Sequence, residues 1–329
     1  MKFGVLQFFS WPERRVDLAS VYARALQRIE IMDRTGYDAV WLAEHHFSSF
    51  SVCPSVHMMG VLAASRTTRL RIGTGVTLAP FYHPLRLAEE VALLDVISGG
   101  RVNWGAGRGF ARVEFENFGI SPDESTSRFH EAVDIVLKAW TEERLTYTGQ
   151  HYRFEGVEVL PKPAQQPHPP VWMAATSEGA IDWAASRGFS ILMDPHAAHR
   201  DIGRKRRFYA DRLAAAGHMM RGRDLPVARL LAIGETCEKA AGVARRGAQW
   251  IVDSYFGAQH RPVGVADPNA PGGDPVRRYL DEVIIHGTAD KVLDEIMRLR
   301  EEIGVDYLLC APLSHDTFMA LTENVLPKL

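Results

Sequence analysis

Apolar residues along this chain follow two periods in turn, and the switch between them recurs over the whole length. Residues 2–9 (KFGVLQFF) make an apolar block of strand length. Leu18, Tyr22, Ala25, Ile29 and Met32 then fall at spacings of four, three, four and three, one face of a helix that stops at Gly36. The alternation continues with strands predicted over 38–46, 69–80 and 101–109. Between them lie helices over 54–66, opened by Pro54, and 84–98, stopped by Gly99 and Gly100. A helix over 125–143 carries the stripe Phe129, Val133, Val136 and Trp140. The stretch LTYTGQHYRFEGVEVLP (145–161) has period two around Thr148-Gly149 and reads as an exposed hairpin interrupting the rhythm. Strands over 169–176, 189–194, 226–234 and 306–312 follow, with helices over 177–188, 199–216, 236–256 and 288–303 and a last helix after the final strand. A Gly/Pro-rich loop covers 262–275.

That is about eight strand–helix units, with no shift in composition to mark a linker. The expectation is one α/β domain over 1–329, a (β/α)8 TIM barrel with insertion segments, ahead of a doubly wound sheet. Ligands in such barrels sit at the carboxyl ends of the strands. EHH (44–46), GTG (73–75), NWGAGRG (103–109) and AATS (174–177) all fall there.

Charge narrows the partners. With 38 basic and 40 acidic side chains the net charge is −2, so nothing favours nucleic acid or an anionic membrane. The basic run RDIGRKRRFYADR (200–212) places Ile202, Tyr209 and Leu213 on one face, which makes its cations the solvated side of an amphipathic helix. The three cysteines, Cys53, Cys237 and Cys310, are widely spaced and form no C-x-x-C pair, as expected in a reducing cytoplasm. No run approaches the roughly 20 apolar residues that span a bilayer, and MKFGVLQFF reads as a strand, not a secretory signal.

Three readings compete for Glu44, His45 and His46: metal ligands, acid–base groups, or hydrogen-bonded scaffold. Neighbours in a strand point to opposite faces, so two adjacent histidines do not readily chelate one ion, and no metal is expected. GAGRG (105–109) lacks the third glycine of a dinucleotide fingerprint, since residue 110 is Phe110, and no clear helix begins there. Its small residues suit close approach to a flat ligand and Arg108 suits a phosphate; a glycine-rich bend with a surface arginine fits equally. Glycines inside 69–80 indicate a bulge or a close approach. Thr176 and Ser177 suit either plain N-capping or a phosphate held at a helix N-terminus.

Together, MKFGVLQF, GYDAVWLAEHHF, RIGTGVTLAPFYHPLRLAEEVALLDVISGGRVNWGAGRG, VWMAATSEGAIDWAASRGF and HGTADKVLDEI resemble the bacterial luciferase-like, flavin-dependent monooxygenase family, in order and spacing over nearly the whole chain. The resemblance implies FMN at the carboxyl end of the barrel. His45 corresponds to the family's active-site histidine, accompanied by Glu44. Thr74, Gly75 and Val76 match a bulged strand under the flavin ring, where a non-proline cis peptide is known in the family. Arg108 matches the phosphate-holding arginine, with Thr176 and Ser177 at the helix N-terminus and Ala175 placing backbone against the ring. Gly107 stands where the luciferase alpha chain has a reactive cysteine, which removes bulk beside the flavin and argues against carrying over light emission or the same aldehyde substrate; Thr176 stands where it has an acidic residue, which suits a phosphate at least as well. Reduced FMN from a separate flavin reductase, O2 and a small substrate are implied, with a homodimer packed through the helices after the second and third strands. Phe8, Phe9, Trp11, Phe47, Phe50, Phe81 and Trp104 suggest an apolar or aromatic guest. The loop 257–275 is the expected lid. The alternatives are an F420-dependent hydride-transfer enzyme and a non-catalytic flavin-binding relative.

Overall fold

The computed structural model describes residues 1–255, 257, 263 and 273–329; most of the 262–275 loop, and of the expected lid over 257–275, lies outside the described residues. The chain opens with β1 (Lys2–Gln7), α1 (Leu18–Arg34), β2 (Ala39–Leu42), α2 (Val56–Arg66), β3 (Arg71–Thr74), the short β4 (Thr77–Leu78) and α3 (Pro84–Ile97). Then come β5 (Val102–Gly107), α4 (Arg112–Phe118), α5 (Ser125–Thr141), the hairpin β6 (Leu145–Thr148) and β7 (Arg153–Val157), and β8 (Val171–Ala174). The last part holds α6 (Glu178–Ser186), β9 (Ser190–Leu192), α7 (His199–Ala215), β10 (Pro226–Ile233), α8 (Cys237–Tyr255) and α9 (Pro275–Glu282). It ends with β11 (Ile285–Gly287), α10 (Ala289–Ile303), β12 (Tyr307–Pro312) and α11 (His315–Ala320).

The main sheet runs β11-β10-β12-β1-β2-β3-β5-β8-β9, all parallel, and a bridge between Met193 and Val227 brings its β9 edge round to β10. This is the expected (β/α)8 barrel, with β11 pairing on the far end of β10 as an addition. Two apolar layers follow from strand alternation. Val5, Val40, Leu42, Ile72, Val102 and Trp104 face the helices, while Leu6, Ala39, Trp41, Trp172, Leu230 and Leu309 fill the barrel. Trp41 meets Trp172 edge-on at 5.2 Å and donates to the Tyr307 hydroxyl (3.2 Å), which donates to Asp38 (2.8 Å). Room for the indole comes from missing side chains. A Cβ at Gly73 would stand 2.4 Å from the Trp41 ring, and one at Gly105 would stand 2.1 Å from the Thr74 carbonyl oxygen.

Several boundaries differ from the sequence reading. β2 stops at Leu42, because after Ala43 N–H bonds to the Gln7 carbonyl (3.2 Å) the next contact, His45 N–H to the Cys53 carbonyl (3.1 Å), folds the chain back on its own loop. Glu44, His45 and His46 therefore lie in a loop, not in a strand. Pro54 precedes α2 instead of opening it; Ser55 is the N-cap, its hydroxyl accepting from Met58 N–H at 3.2 Å. The run 69–80 is broken into β3 and β4 by a cis Gly75-Val76 peptide. Helix α4, where the sequence showed no clear helix, starts at Arg112 and ends on Gly119 at φ 68°. α9 and β11 were also missed; Asp274 caps α9 and Pro275 starts it. The hairpin is as expected, closed by Gly149 N–H to the Tyr152 carbonyl at 2.9 Å.

Candidate active site

The loop after β2 is built around two buried carboxylates. Glu44, 2% exposed, accepts from His46 Nε2 (3.0 Å) and from the Tyr82 hydroxyl (3.0 Å). Burial, then the charge of Glu44, pushes the Tyr82 phenol up, so it remains a donor. Glu114, on α4, accepts the His46 backbone N–H at 3.1 Å. His46 is also packed edge-on against Phe118 at 4.8 Å. His45 turns the other way. Its ring lies 6.3 Å from Phe8, nearly parallel, and 5.3 Å from Phe50, edge-on, with Nδ1 3.8 Å from Glu114 Oε1. The two histidines thus diverge as anticipated, though loop geometry and not strand alternation separates them. Among the described residues, no group of three or more His, Cys, Asp or Glu could hold a metal ion.

The ends of β3 and β5 meet beside this loop. Leu42 pairs with Thr74, and Gly75 N–H donates to the Leu42 carbonyl at 2.7 Å. Thr74 is fully buried; its hydroxyl donates to the Gly105 carbonyl (2.7 Å) and accepts from Gly105 N–H (2.8 Å). A Cβ at Gly107 would stand 2.5 Å from Val76 Cγ2 and 3.4 Å from Ala174 Cβ, so Gly107 makes room for the Val76 side chain where three strand ends converge. Ala106 pairs with Met173, and this register brings Arg108 and Ala175 out of the sheet side by side. Ala175 is 1% exposed; Thr176 is half-buried, and Ser177 caps α6, its hydroxyl accepting from Ala180 N–H at 3.3 Å. The Arg108 guanidinium donates to the Ser125 hydroxyl and the Val263 carbonyl, both at 2.8 Å, and packs over Phe115 at 5.9 Å. Burial draws its pKa down.

Phe8 and Phe50 are placed against His45. Phe9 and Trp104, expected in the pocket wall, point instead into the helix layer, against Tyr22 and Trp140 respectively; strand alternation turns Trp104 outward, and Phe9, past the end of β1, is held by bonds from its backbone to the Ser51 hydroxyl and the Val52 N–H. A second polar cluster went unseen in the sequence. His196, after β9, receives the Tyr279 hydroxyl or donates to it at Nδ1 (2.9 Å), and its N–H donates to Asp194 at 2.9 Å. Arg229 donates to the Ala197 and Asp194 carbonyls (2.6 and 3.1 Å). Burial pulls the His196 imidazole down to about 4 against the opposing pull of Asp194. Burial alone would raise Asp194, but Lys205, His196 and Arg229 outweigh it and hold the carboxyl below its ordinary value. The residues come from the loop after β9, from β10 and from α9, and no sequence pattern ties the three together. The Glu114 role was missed because α4 was missed.

A closed parallel barrel with polar groups and bare turns gathered at the carboxyl ends of its strands has the layout of barrel enzymes. Comparison with known proteins makes this specific. The family model of luciferase-like monooxygenases matches residues 1–307. The chain is 33% identical over 313 residues to the uncharacterized protein y4wF of Sinorhizobium fredii, covering 93% of this chain and 90% of that one. It is 32% identical over 177 residues to the oxygenase component of the flavin-dependent trigonelline monooxygenase of Acinetobacter baylyi, which is 53% of this chain and 49% of the relative. Among solved structures, monooxygenase RslO1 from Streptomyces bottropensis matches with a TM-score of 0.84 and 28% identity, covering 100% of this chain and 99% of that one. The chain belongs to the luciferase-like monooxygenase family and is an oxidoreductase of the flavin-dependent monooxygenase class.

Proposed function

We propose that this protein takes reduced FMN from a separate reductase and uses it with O2 to oxygenate a small apolar or aromatic substrate. The observation that carries the reading is what gathers at the strand ends: the Gly75-Val76 turn beside Gly107, His45 on the loop after β2, a half-buried arginine after β5 and a helix N-terminus after β8. These residues fit FMN. Thr74, Gly75, Val76 and Ala175 would receive the flat ring, and Arg108 with Thr176, Ser177 and the α6 N-terminus would hold the phosphate. Two of the five guanidinium donors of Arg108 are engaged in the bonds described, which leaves capacity for an anion. When bound, the reduced flavin supplies the electrons with which one oxygen atom of O2 enters the product and the other leaves as water. The chain's own share is to exclude water, orient the guest against the packed pair Phe8 and Phe50, and move protons at His45, with Glu44 bracing the loop through His46 and Tyr82.

The active species in this reading is a homodimer of single-domain chains in the cytoplasm. Supporting the single domain, one continuous sheet joins β1 to β12 across the whole chain. For the dimer, α2 exposes Met58, Val61 and Leu62 and the adjacent α3 exposes Leu93, Val96 and Ile97, two apolar stripes at helical spacing on touching helices. Among the described residues no helix is long and apolar enough to cross a membrane. The separate reductase is supported by the relative that is itself an oxygenase component.

The experiment supplies the protein with a flavin reductase, FMN and 18O2 and screens apolar and aromatic compounds for labelled product. Incorporation of one labelled atom supports the reading. Binding and turnover of reduced F420 in place of reduced FMN, or flavin binding with no oxygenated product from any compound, would overturn it.

A further inference from the structure

We propose that Glu114 is the positioning residue that fixes the ring orientation and tautomer of His45; this rests on the proton-handling reading of His45 given above. Glu114 sits in the first turn of α4 and is 2% exposed. Its Oε1 does two things at once: it accepts the His46 backbone N–H at 3.1 Å and stands 3.8 Å from His45 Nδ1. The first contact pins the loop on which His45 is carried. The second faces the imidazole with a group that, as a carboxylate, can only accept, so it favours the tautomer with the proton on Nδ1. Nε2 is left with the lone pair. Phe8, nearly parallel to the ring, and Phe50, edge-on, restrict its remaining rotation.

The helix that carries Glu114 is itself fixed. The next residue, Phe115, is fully buried, packs edge-on against Phe81 at 5.1 Å, and lies under the Arg108 guanidinium. One short helix therefore ties the His45 loop to the arginine at the neighbouring strand end. In the proton step, the O–H bond of a hydroxyl on the bound guest breaks with its electron pair left on oxygen, and an N–H bond forms at His45 Nε2. Glu114 faces the positive charge that results on the imidazole, and the proton returns to oxygen as product forms. In the Ser-His-Asp arrangement, neutralising the carboxylate behind the histidine costs about 10⁴-fold; at 3.8 Å the effect of Glu114 is smaller, on the order of tenfold or more.

The test uses Glu114→Gln and Glu114→Asp in the full chain with reduced FMN and dioxygen. Glutamine still accepts the His46 N–H, so the fold and reduced-FMN binding should be retained. Because that same oxygen still faces His45 Nδ1 but without its negative charge, nitrogen-15 NMR of labelled histidine, with His45 assigned through His45→Asn, should show a smaller share of the Nδ1-protonated form. Flavin reoxidation after mixing with O2 should change at least about tenfold with an altered pH profile, and Glu114→Asp should recover part of both. If Glu114→Gln keeps the wild-type tautomer and the wild-type pH profile, the inference is overturned. Wild-type kinetics in His45→Asn would instead sink the reading of His45, while the tautomer measurement still decides whether Glu114 positions the ring.

Discussion

His196 should make the fold acid-sensitive, and the size of the effect follows from its surroundings. The ring is buried, bonded to Tyr279, and close to Arg229 and Arg278; burial is the main cause that takes its pKa from 6.5 to about 4. Asp194 on the same loop opposes this, and His45 across the site adds to it. A histidine kept neutral in the folded state but free to protonate when unfolded contributes stability that is complete above the unfolded pKa. That stability falls away as pH drops below about 6.5, and is gone below about 4. Over the whole window the loss is about 3 kcal/mol, of which about 2 kcal/mol is gone by about pH 5. Denaturant unfolding at about pH 7.5 and about pH 5 measures it, comparing wild type with His196→Gln, whose side chain can still pair with Tyr279. The wild type should lose about 2 kcal/mol more than the variant between those two conditions. His199, also drawn down to about 4 mainly by burial, should leave a residual slope in the variant. Identical pH dependence in the two proteins would refute the reasoning.

Other consequences can be checked separately. Gly73→Ala should destabilise by about 1–3 kcal/mol in denaturant unfolding, because its Cβ would overlap the Trp41 ring and the interior there is packed. Arg108→Ala should weaken reduced-FMN binding by about 10–100-fold, the worth of charge-assisted phosphate contacts, with little change in the rate of the bound complex; unchanged affinity would remove Arg108 from the phosphate site. Leu93→Glu together with Val96→Glu should convert a dimer into a monomer by light scattering while leaving circular dichroism unchanged. A dimer that survives both charges would place the interface elsewhere.

Most of the architecture was legible because a parallel barrel repeats one instruction: an apolar block of strand length followed by an amphipathic helix. What escaped were elements too short to show a period. α4 spans seven residues and β11 three, and each is held by contacts from other parts of the chain. β2 was read too long because Ala43 and Glu44 are as buried as the strand before them, and only the His45–Cys53 backbone bond marks the departure. Gly73, Gly75 and Gly107 did signal close approach, yet for different reasons: Gly73 makes room for Trp41, Gly75 begins the cis peptide, and Gly107 makes room for the Val76 side chain. The divergence of His45 and His46 was legible in outline, but its physical basis was not, since Glu114 and Tyr82 are remote in sequence. The His196–Tyr279 pair, 83 residues apart, left no local trace.

The most direct test is His45→Ala. The reduced-FMN complexes of wild type and variant are titrated anaerobically and then mixed with O2, and reaction at the flavin is followed against time. Reduced FMN should bind the variant with nearly unchanged affinity, because the ring floor and Arg108 belong to other strand ends, while the oxygen step should slow by about 10²–10⁴-fold. Wild-type rates in the variant, with binding intact, would contradict a proton-handling site built on His45.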